Sequence, residues 1–465
     1  MHKVNCNGKI YFAGDGQLLS QVLMNNSIAV EHSCGGKGLC KKCAVTVNGK
    51  DELSCAYKVY GDITVTLKDK NKITVNSYSN VISDEEYCYC LDVGTTTLAL
   101  SLVSLDRKCT VKSAFCQNPQ RLFGADVISR INYSAENGVK PLQKSLISEI
   151  NNMISALGNF NTKKLYASGN TTMLHTLFGE ECSGMGVYPH KPRFLQSRTE
   201  KGESLGIEKV DVVVSLPSIH AFIGADVVAG LGLLQKPQKN KYSILVDLGT
   251  NAEIVLFSSK KYICTSAAAG PCFEGVSISC GMSAVDGAIY SYLPGQIKTI
   301  GNKEPVGICG TGIIDLCAHL LRTGKADSSG LLAENFKITE EIAFTQEDLR
   351  QLQLSKSAIY SAITVLIKRE NISLEDIDYI YISGGFSEKI NIRNALCIGL
   401  LPEFPKERII SLGNSSLEGT VKYALQDINL EEICQNAEYV ELSQTEEFSQ
   451  LFMENMSFKN AVSSK

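Results

Sequence analysis

What the chain lacks narrows it first. Its formal charge is only -4 over 465 residues, and its lysines and arginines are scattered. No basic stripe exists to meet nucleic acid or an anionic membrane, so neither partner is expected. No apolar run reaches the roughly 18 residues that span a bilayer, and the opening residues Met1 to Gly8 carry no apolar signal core. The expected location is the cytoplasm. A disulfide framework is missing too, because the 17 cysteines are odd in number and lie in apolar segments such as Ile308-Cys309-Gly310. Most are expected to be reduced core residues.

What is present is ample apolar material, 44% of the chain, and a length that suits two to four domains. One stretch occurs twice. Leu91-Asp92-Val93-Gly94-Thr95-Thr96-Thr97-Leu98 reads as a strand, a tight glycine turn and a second strand, and Leu245-Val246-Asp247-Leu248-Gly249-Thr250-Asn251-Ala252 repeats the order. Glycine at 94 and 249 lets backbone amides approach phosphate oxygens. Thr95, Thr96, Thr250 and Asn251 can donate to them, and Asp92 and Asp247 can hold the water shell of a magnesium ion. Facing hairpins of this kind would clamp one nucleotide triphosphate. A third piece, Ile380-Tyr381-Ile382-Ser383-Gly384-Gly385-Phe386-Ser387, ends a strand in two glycines on which an adenosine can lie flat, although a plain strand-to-helix turn has the same look. Asp226 fits a water activator and a helix cap equally.

Near the start lies Cys34-Gly35-Gly36-Lys37-Gly38-Leu39-Cys40-Lys41-Lys42-Cys43, with a fourth sulfur at Cys55. The spacing is one residue longer than the plant-type pattern for a two-iron two-sulfur cluster, and the glycines let the backbone wrap a cluster and aim amides at sulfur. Structural zinc prefers two separated C-x2-C pairs, and only one is here. Four unliganded core cysteines would not need a glycine-rich loop. The cluster is the favoured reading, with Cys34, Cys40, Cys43 and Cys55 as ligands.

The flanking sequence reads as a hairpin over 3–12, a helix with Leu18, Leu19, Val22, Leu23 and Ile28 on one face, and strands at 44–47 and 61–67. The expected domains are a cluster domain at 1–68, an irregular linker at 69–86 long enough to let it swing, an α/β lobe at 87–240, a second at 241–432, and a tail at 433–465 packed on the lobes. His175 and His220 are read as hydrogen-bonded core or surface residues in preference to metal ligands. Cys88 and Cys90 are read as buried, and Arg121 and Arg130 as helix-surface residues.

Residues 1 to about 68 resemble a β-grasp ferredoxin. The order of Asp hairpin, second Asp hairpin and late Gly-Gly turn resembles the acetate and sugar kinase, heat-shock chaperone and actin superfamily. Asn118-Pro119-Gln120, Phe123-Gly124-Ala125-Asp126 through Ile131, Gly169-Asn170-Thr171-Thr172-Met173, Gly270 to Gly275, Ile278 to Met282, Gly307 to Gly312 and Gly413-Asn414-Ser415-Ser416-Leu417 narrow it to the ATP-dependent reductive activators of corrinoid proteins. The resemblance covers nearly the whole chain, except that familiar members carry a further domain between the ferredoxin and ATPase parts where only the short linker is expected here.

That resemblance implies an α/β protein, a ferredoxin-like domain followed by a two-lobed actin-like ATPase. It implies one 2Fe-2S cluster, ATP and Mg2+ as cofactors, a corrinoid protein as electron acceptor, an upstream low-potential electron donor and a homodimer. The reaction would be ATP-dependent return of inactive Co(II) to Co(I). Rival readings are a nucleotide-gated redox sensor, an activator of another low-potential metalloenzyme, and a small-molecule kinase, for which the sequence offers no convincing base.

Overall fold

The computed structural model describes residues 1–6, 8–26, 28, 30, 43–67, 73–124, 126–385, 387–426 and 428–458. The chain divides into two compact units, Met1–Leu216 and Pro217–Lys465. Among the described residues no helix is long and apolar enough to cross a membrane.

In the first unit, β1 (His2–Cys6) and β2 (Lys9–Ala13) form the expected antiparallel hairpin. α1 (Leu19–Asn25) buries Leu19, Val22 and Leu23, the spacing that puts side chains on one helix face. β3 (Ala44–Val47) and β4 (Lys50–Leu53) are joined by Asn48-Gly49, both at positive φ, the turn whose twist matches a two-residue hairpin. β5 (Ile63–Leu67) runs parallel to β1 and antiparallel to β3, completing a five-stranded sheet in the order β2-β1-β5-β3-β4. Val4, Val45, Val47 and Val65 from the sheet pack with the helix residues as one core. This is the β-grasp arrangement that the resemblance to ferredoxins implies.

The seven-stranded sheet of this unit follows. β6 (Thr74–Ser77) is its edge; β7 (Tyr87–Val93), β8 (Thr97–Ser104) and β9 (Cys109–Gln117) form an antiparallel meander. After α2 (Val127–Asn137) and α3 (Lys140–Leu157), β10 (Thr162–Gly169) returns parallel to β7 and leads into α4 (Thr171–Phe178). With β11 (Thr199–Lys201) and β12 (Val210–Ser215) the order is β11-β12-β10-β7-β8-β9-β6. β7 is buried on both faces, as a central strand of near-continuous apolar sequence should be, and Cys88 and Cys90 are 1% and 0% exposed.

The expected linker needs correction. Within 69–86, β6 pairs with β9, the amide of Tyr78 donates to Val111 O, and Arg107 reaches Glu85, Ser79 and Asn80. Residues 74–85 therefore belong to the sheet that follows them, and the reach available to a swinging domain is shorter than a free 69–86 would give. Every side chain of β6 is exposed, so no apolar alternation marks it; the backbone ladder alone makes it a strand.

The second unit repeats the plan. After α5 (Ala225–Gly232), β13 (Tyr242–Leu248), β14 (Ala252–Phe257) and β15 (Tyr262–Ala267) form an antiparallel meander. β16 (Ile377–Ser383) returns parallel to β13 after the buried helices α6 (Gly310–Arg322) and α7 (Gln346–Arg369). β17 (Ile409–Gly413) and β18 (Ala437–Tyr439) complete the order β17-β16-β13-β14-β15-β18. α8 (Ser415–Ala424) packs on α5, which places the structural division at 216/217, ahead of the expected 240/241.

The last described residues are tied into this unit. β18 pairs with β15, and α9 (Glu446–Glu454) lies on α7. Lys356, 2% exposed, donates from Nζ to the carbonyls of Asn455 and Ser457. Those carbonyls satisfy a charge that burial would otherwise penalise heavily.

Candidate functional site

The first hairpin is a loop of Gly94, Thr95 and Thr96 between β7 and β8. Asp92, 8% exposed, precedes it with Ala99 on β8 and Ser168 on β10 as cross-strand neighbours. A Cβ on Gly94 would come within 2.5 Å of Thr97 O, so only glycine fits this turn. Three side chains from outside the hairpin hold the loop. Asn118, fully buried, donates from Nδ2 to Gly94 O at 2.8 Å, and its own amide donates to Thr96 O at 2.8 Å. Arg130 Nη2 donates to Thr95 O at 2.7 Å, while its Nε donates to Gly124 O at 3.0 Å. Asn170 Nδ2 donates to Thr95 Oγ1 at 2.8 Å.

Both asparagines are where they are because each starts a helical turn. Asn118 Oδ1 accepts from Gln120 N ahead of Pro119, and Asn170 Oδ1 accepts from Met173 N at the start of α4. Arg130 overturns the expectation of a helix-surface role, being 1% exposed and aimed inward from α2. A charge in a helical pattern reads as surface by default, and nothing local marks this one as an exception. Arg121 is half-buried on the short turn after Asn118.

His175, one turn into α4, is wholly buried. Its Nδ1 meets Thr171 O at 2.7 Å, its Nε2 accepts from Arg193 N at 3.0 Å, and its ring stacks on Phe194. Burial lowers its pKa to about 4, so it is a neutral structural residue, as expected.

The second hairpin closes differently. Gly249 N donates to Asn251 O at 2.9 Å, so this amide serves the turn itself, and Thr250 Oγ1 donates to Glu274 Oε1 at 3.1 Å. Asp247 lies across from Glu253 on β14 and from Ser383 on β16. Gly384 follows β16 at φ +105, where a Cβ would sit 2.1 Å from Leu248 O; Gly385 next to it has open space. The Gly-Gly turn thus lies directly against the second hairpin. Phe386 lies outside the described residues.

Here the surroundings are anionic. Burial, then Asp247 and Asp226, push the Glu253 carboxyl well above the usual carboxylate range, while Ser266 Oγ donates to it at 3.2 Å. Asp226 sits in the first turn of α5, whose N-cap is Gly224, and its Oδ1 meets Val227 N. Asp226 and Asp247 therefore both lie close enough to act on Glu253. Glu253 was legible: a loop closing Leu248 on Ala252 pairs 247 with 253 by counting outward. Among the described residues no group of three His, Cys, Asp or Glu is set to grip an ion directly. His220 stacks on Tyr439 with ring centroids 3.7 Å apart, and burial, then the Glu441 and Glu253 carboxylates, raises the pKa of the Tyr439 hydroxyl.

Of the four expected cluster ligands, Cys34 and Cys40 lie outside the described residues. Cys43 and Cys55 do not. The register Ala44↔Leu53 brings the two ends of the β3–β4 hairpin together, Ser54 N donates to Cys43 O, and the sulfurs come to 3.2 Å. Both are buried and neither is in a disulfide. Two soft donors that close, and not joined in a disulfide, fit a shared iron site. The short span from Cys43 to Cys55 is simply the length of this hairpin.

Comparison with known proteins adds what geometry cannot. Residues 3–60 match the 2Fe-2S iron-sulfur cluster binding domain, residues 87–236 the RACo middle region, and residues 241–464 the C-terminal domain of RACo, the ASKHA domain. The corrinoid activation enzyme RamQ of Eubacterium limosum is 30% identical over 423 residues, spanning 81% of this chain and 71% of that protein. The chain belongs to the RACo family. A second relative, the [Co(II) methylated amine-specific corrinoid protein] reductase of Methanosarcina barkeri, is 26% identical over 420 residues, 80% of this chain and 77% of its own length. The structure of a reductive activator for corrinoid, iron-sulfur protein superposes with a TM-score of 0.71 at 24% identity and 98% coverage of both chains, a likeness of fold. The RACo middle region is present at 87–236, which corrects the expectation that a middle part is missing. A 2Fe-2S cluster and ATP with Mg2+ are accordingly the cofactors of this RACo chain.

Proposed function

We propose that this chain reductively activates a corrinoid protein, passing one electron to its inactive Co(II) form to regenerate Co(I), in a step that depends on ATP. The observation that carries the reading is the joining, in one RACo chain, of a cluster domain whose Cys43 and Cys55 converge and an ATPase part with two Asp hairpins. A bound plant-type cluster supplies single electrons at ~-400 mV. Each ~59 mV by which an acceptor lies lower costs a factor of ten, which is why ATP is needed.

In this reading the β3–β4 hairpin presents Cys43 and Cys55, with Cys34 and Cys40 completing the ligand set. Gly94, Thr95 and Thr96, together with Gly249, Thr250 and Asn251, bind nucleotide phosphates. Asp92 and Asp247 order the magnesium water shell, Asp226 activates water, and Gly384-Gly385 seats the adenosine. A low-potential donor, a homodimer and a cytoplasmic setting belong to the same proposal.

The test is anaerobic mixing of the reduced, cluster-loaded protein with a Co(II) corrinoid protein. The Co(I) absorbance is expected with ATP and Mg2+; its appearance at the same rate without nucleotide would sink the coupling.

A further inference from the structure

We infer that Arg130 is a positioning residue for nucleotide binding, a buried guanidinium that with Asn118 turns the carbonyls of the first hairpin inward and so presents the loop's amides to phosphate. The inference deepens the proposed function and rests on the reading of 94–96 as a phosphate loop.

All three carbonyls of the loop are occupied from behind. Gly94 O and Thr96 O accept from Asn118, and Thr95 O accepts from Arg130. In a planar trans peptide the N–H of residue i+1 points opposite to the carbonyl of residue i. Holding the Gly94 and Thr95 carbonyls toward Asn118 and Arg130 therefore aims the amides of Thr95 and Thr96 to the other side, where Thr95 is half-buried and Thr96 exposed. Asn170 adds to this by donating to Thr95 Oγ1, which leaves that hydroxyl's own hydrogen to be offered as a donor. A row of amides so arranged is a concave anion site.

Arg130 suits the task better than a neutral donor. Its fork spans Gly124 O and Thr95 O at once, fixing the start of α2 to the hairpin, and it places a permanent positive charge behind the loop. The guanidinium is 1% exposed. It acts through Thr95 rather than by touching the nucleotide.

The experiment uses full-length, cluster-loaded protein, a nonhydrolysable ATP analogue and steady-state ATPase kinetics. Arg130→Met is expected to raise both the Kd for the analogue and the KM for ATP about ten- to a hundredfold, with kcat within about twofold because uniform binding is what is lost. The affinity for adenosine should stay at the wild-type value. Arg130→Lys, which keeps the charge but cannot span both carbonyls, should fall between. A lowered melting temperature with an unchanged analogue Kd would mean a purely structural role and overturn the inference. If Arg130→Met does not fold, Arg130→Lys decides: a raised Kd alongside wild-type cluster absorbance supports the inference, and an unchanged Kd overturns it. Failure of the wild-type protein to bind the analogue would instead remove the phosphate-loop reading itself.

Discussion

The two Asp-x-Gly-Thr hairpins share a sequence pattern and a strand plan, yet their surroundings are electrically opposite. The loop at 94–96 is held by a guanidinium and two carboxamides. The loop at 249–251 closes on itself, beside Glu274 and a group formed by Asp247, Glu253 and Asp226. The one motif thus sits beside a buried guanidinium in the first unit and among carboxylates in the second. A repeated turn fixes shape; the side chains that later elements bring to it fix what it attracts.

The largest test of this difference compares the two aspartates. Asp247→Asn should lower ATP-dependent Co(I) formation on the order of a hundredfold or more, since magnesium positioning stabilises transition-state charge by several kcal/mol. Asp92→Asn, beside the cationic loop, should cost less. Equal losses would show that the acidic surroundings of the second hairpin add nothing to magnesium positioning.

Acidity should act on the two regions with opposite sign. His175 supports the helix that carries Asn170, and its folded pKa of about 4 lies below the unfolded value of 6.5. The unfolded chain therefore binds the extra proton, so stability is full above pH 6.5 and falls as pH drops toward 4, by roughly 3 kcal/mol in all. Melting curves of wild type and His175→Gln across that window should converge on the acidic side. Parallel curves would show that His175 does not report on the first unit.

Glu253 runs the other way. Its folded pKa is raised, so its contribution is full below the ordinary glutamate value of 4.5 and is lost as pH rises through the folded pKa. In protein free of metal and nucleotide, Glu253→Gln should melt measurably higher than wild type at pH 8. The advantage should vanish toward pH 4.5. A mutant no more stable at pH 8 would mean the carboxylates are not crowded.

Much of this was legible in the residues. The Asn48-Gly49 turn set the β3–β4 hairpin, alternation and helical spacing set the cluster-domain core, and the repeated hairpin announced two related halves. Asn118 and Asn170 could be read as caps from Pro119 and from the Thr171-Thr172-Met173 that follows. Their second bonds, to Gly94 and Thr95, could not, since these join residues far apart in the chain. β6 escaped because an all-exposed edge strand carries no pattern, and the packing of α5 on α8 could not be read because the two helices lie far apart in the sequence.

The sequence by itself determined where the tight turns fall and which strands are central, because these follow from local φ preference and from apolar periodicity. Only the tertiary structure decided that Arg130 points inward, that Asp226 joins Asp247 in acting on Glu253, and that the segment before Tyr87 is a strand. Those outcomes depend on burial and on charge placed by distant segments, and neither quantity is a property of any local stretch of chain.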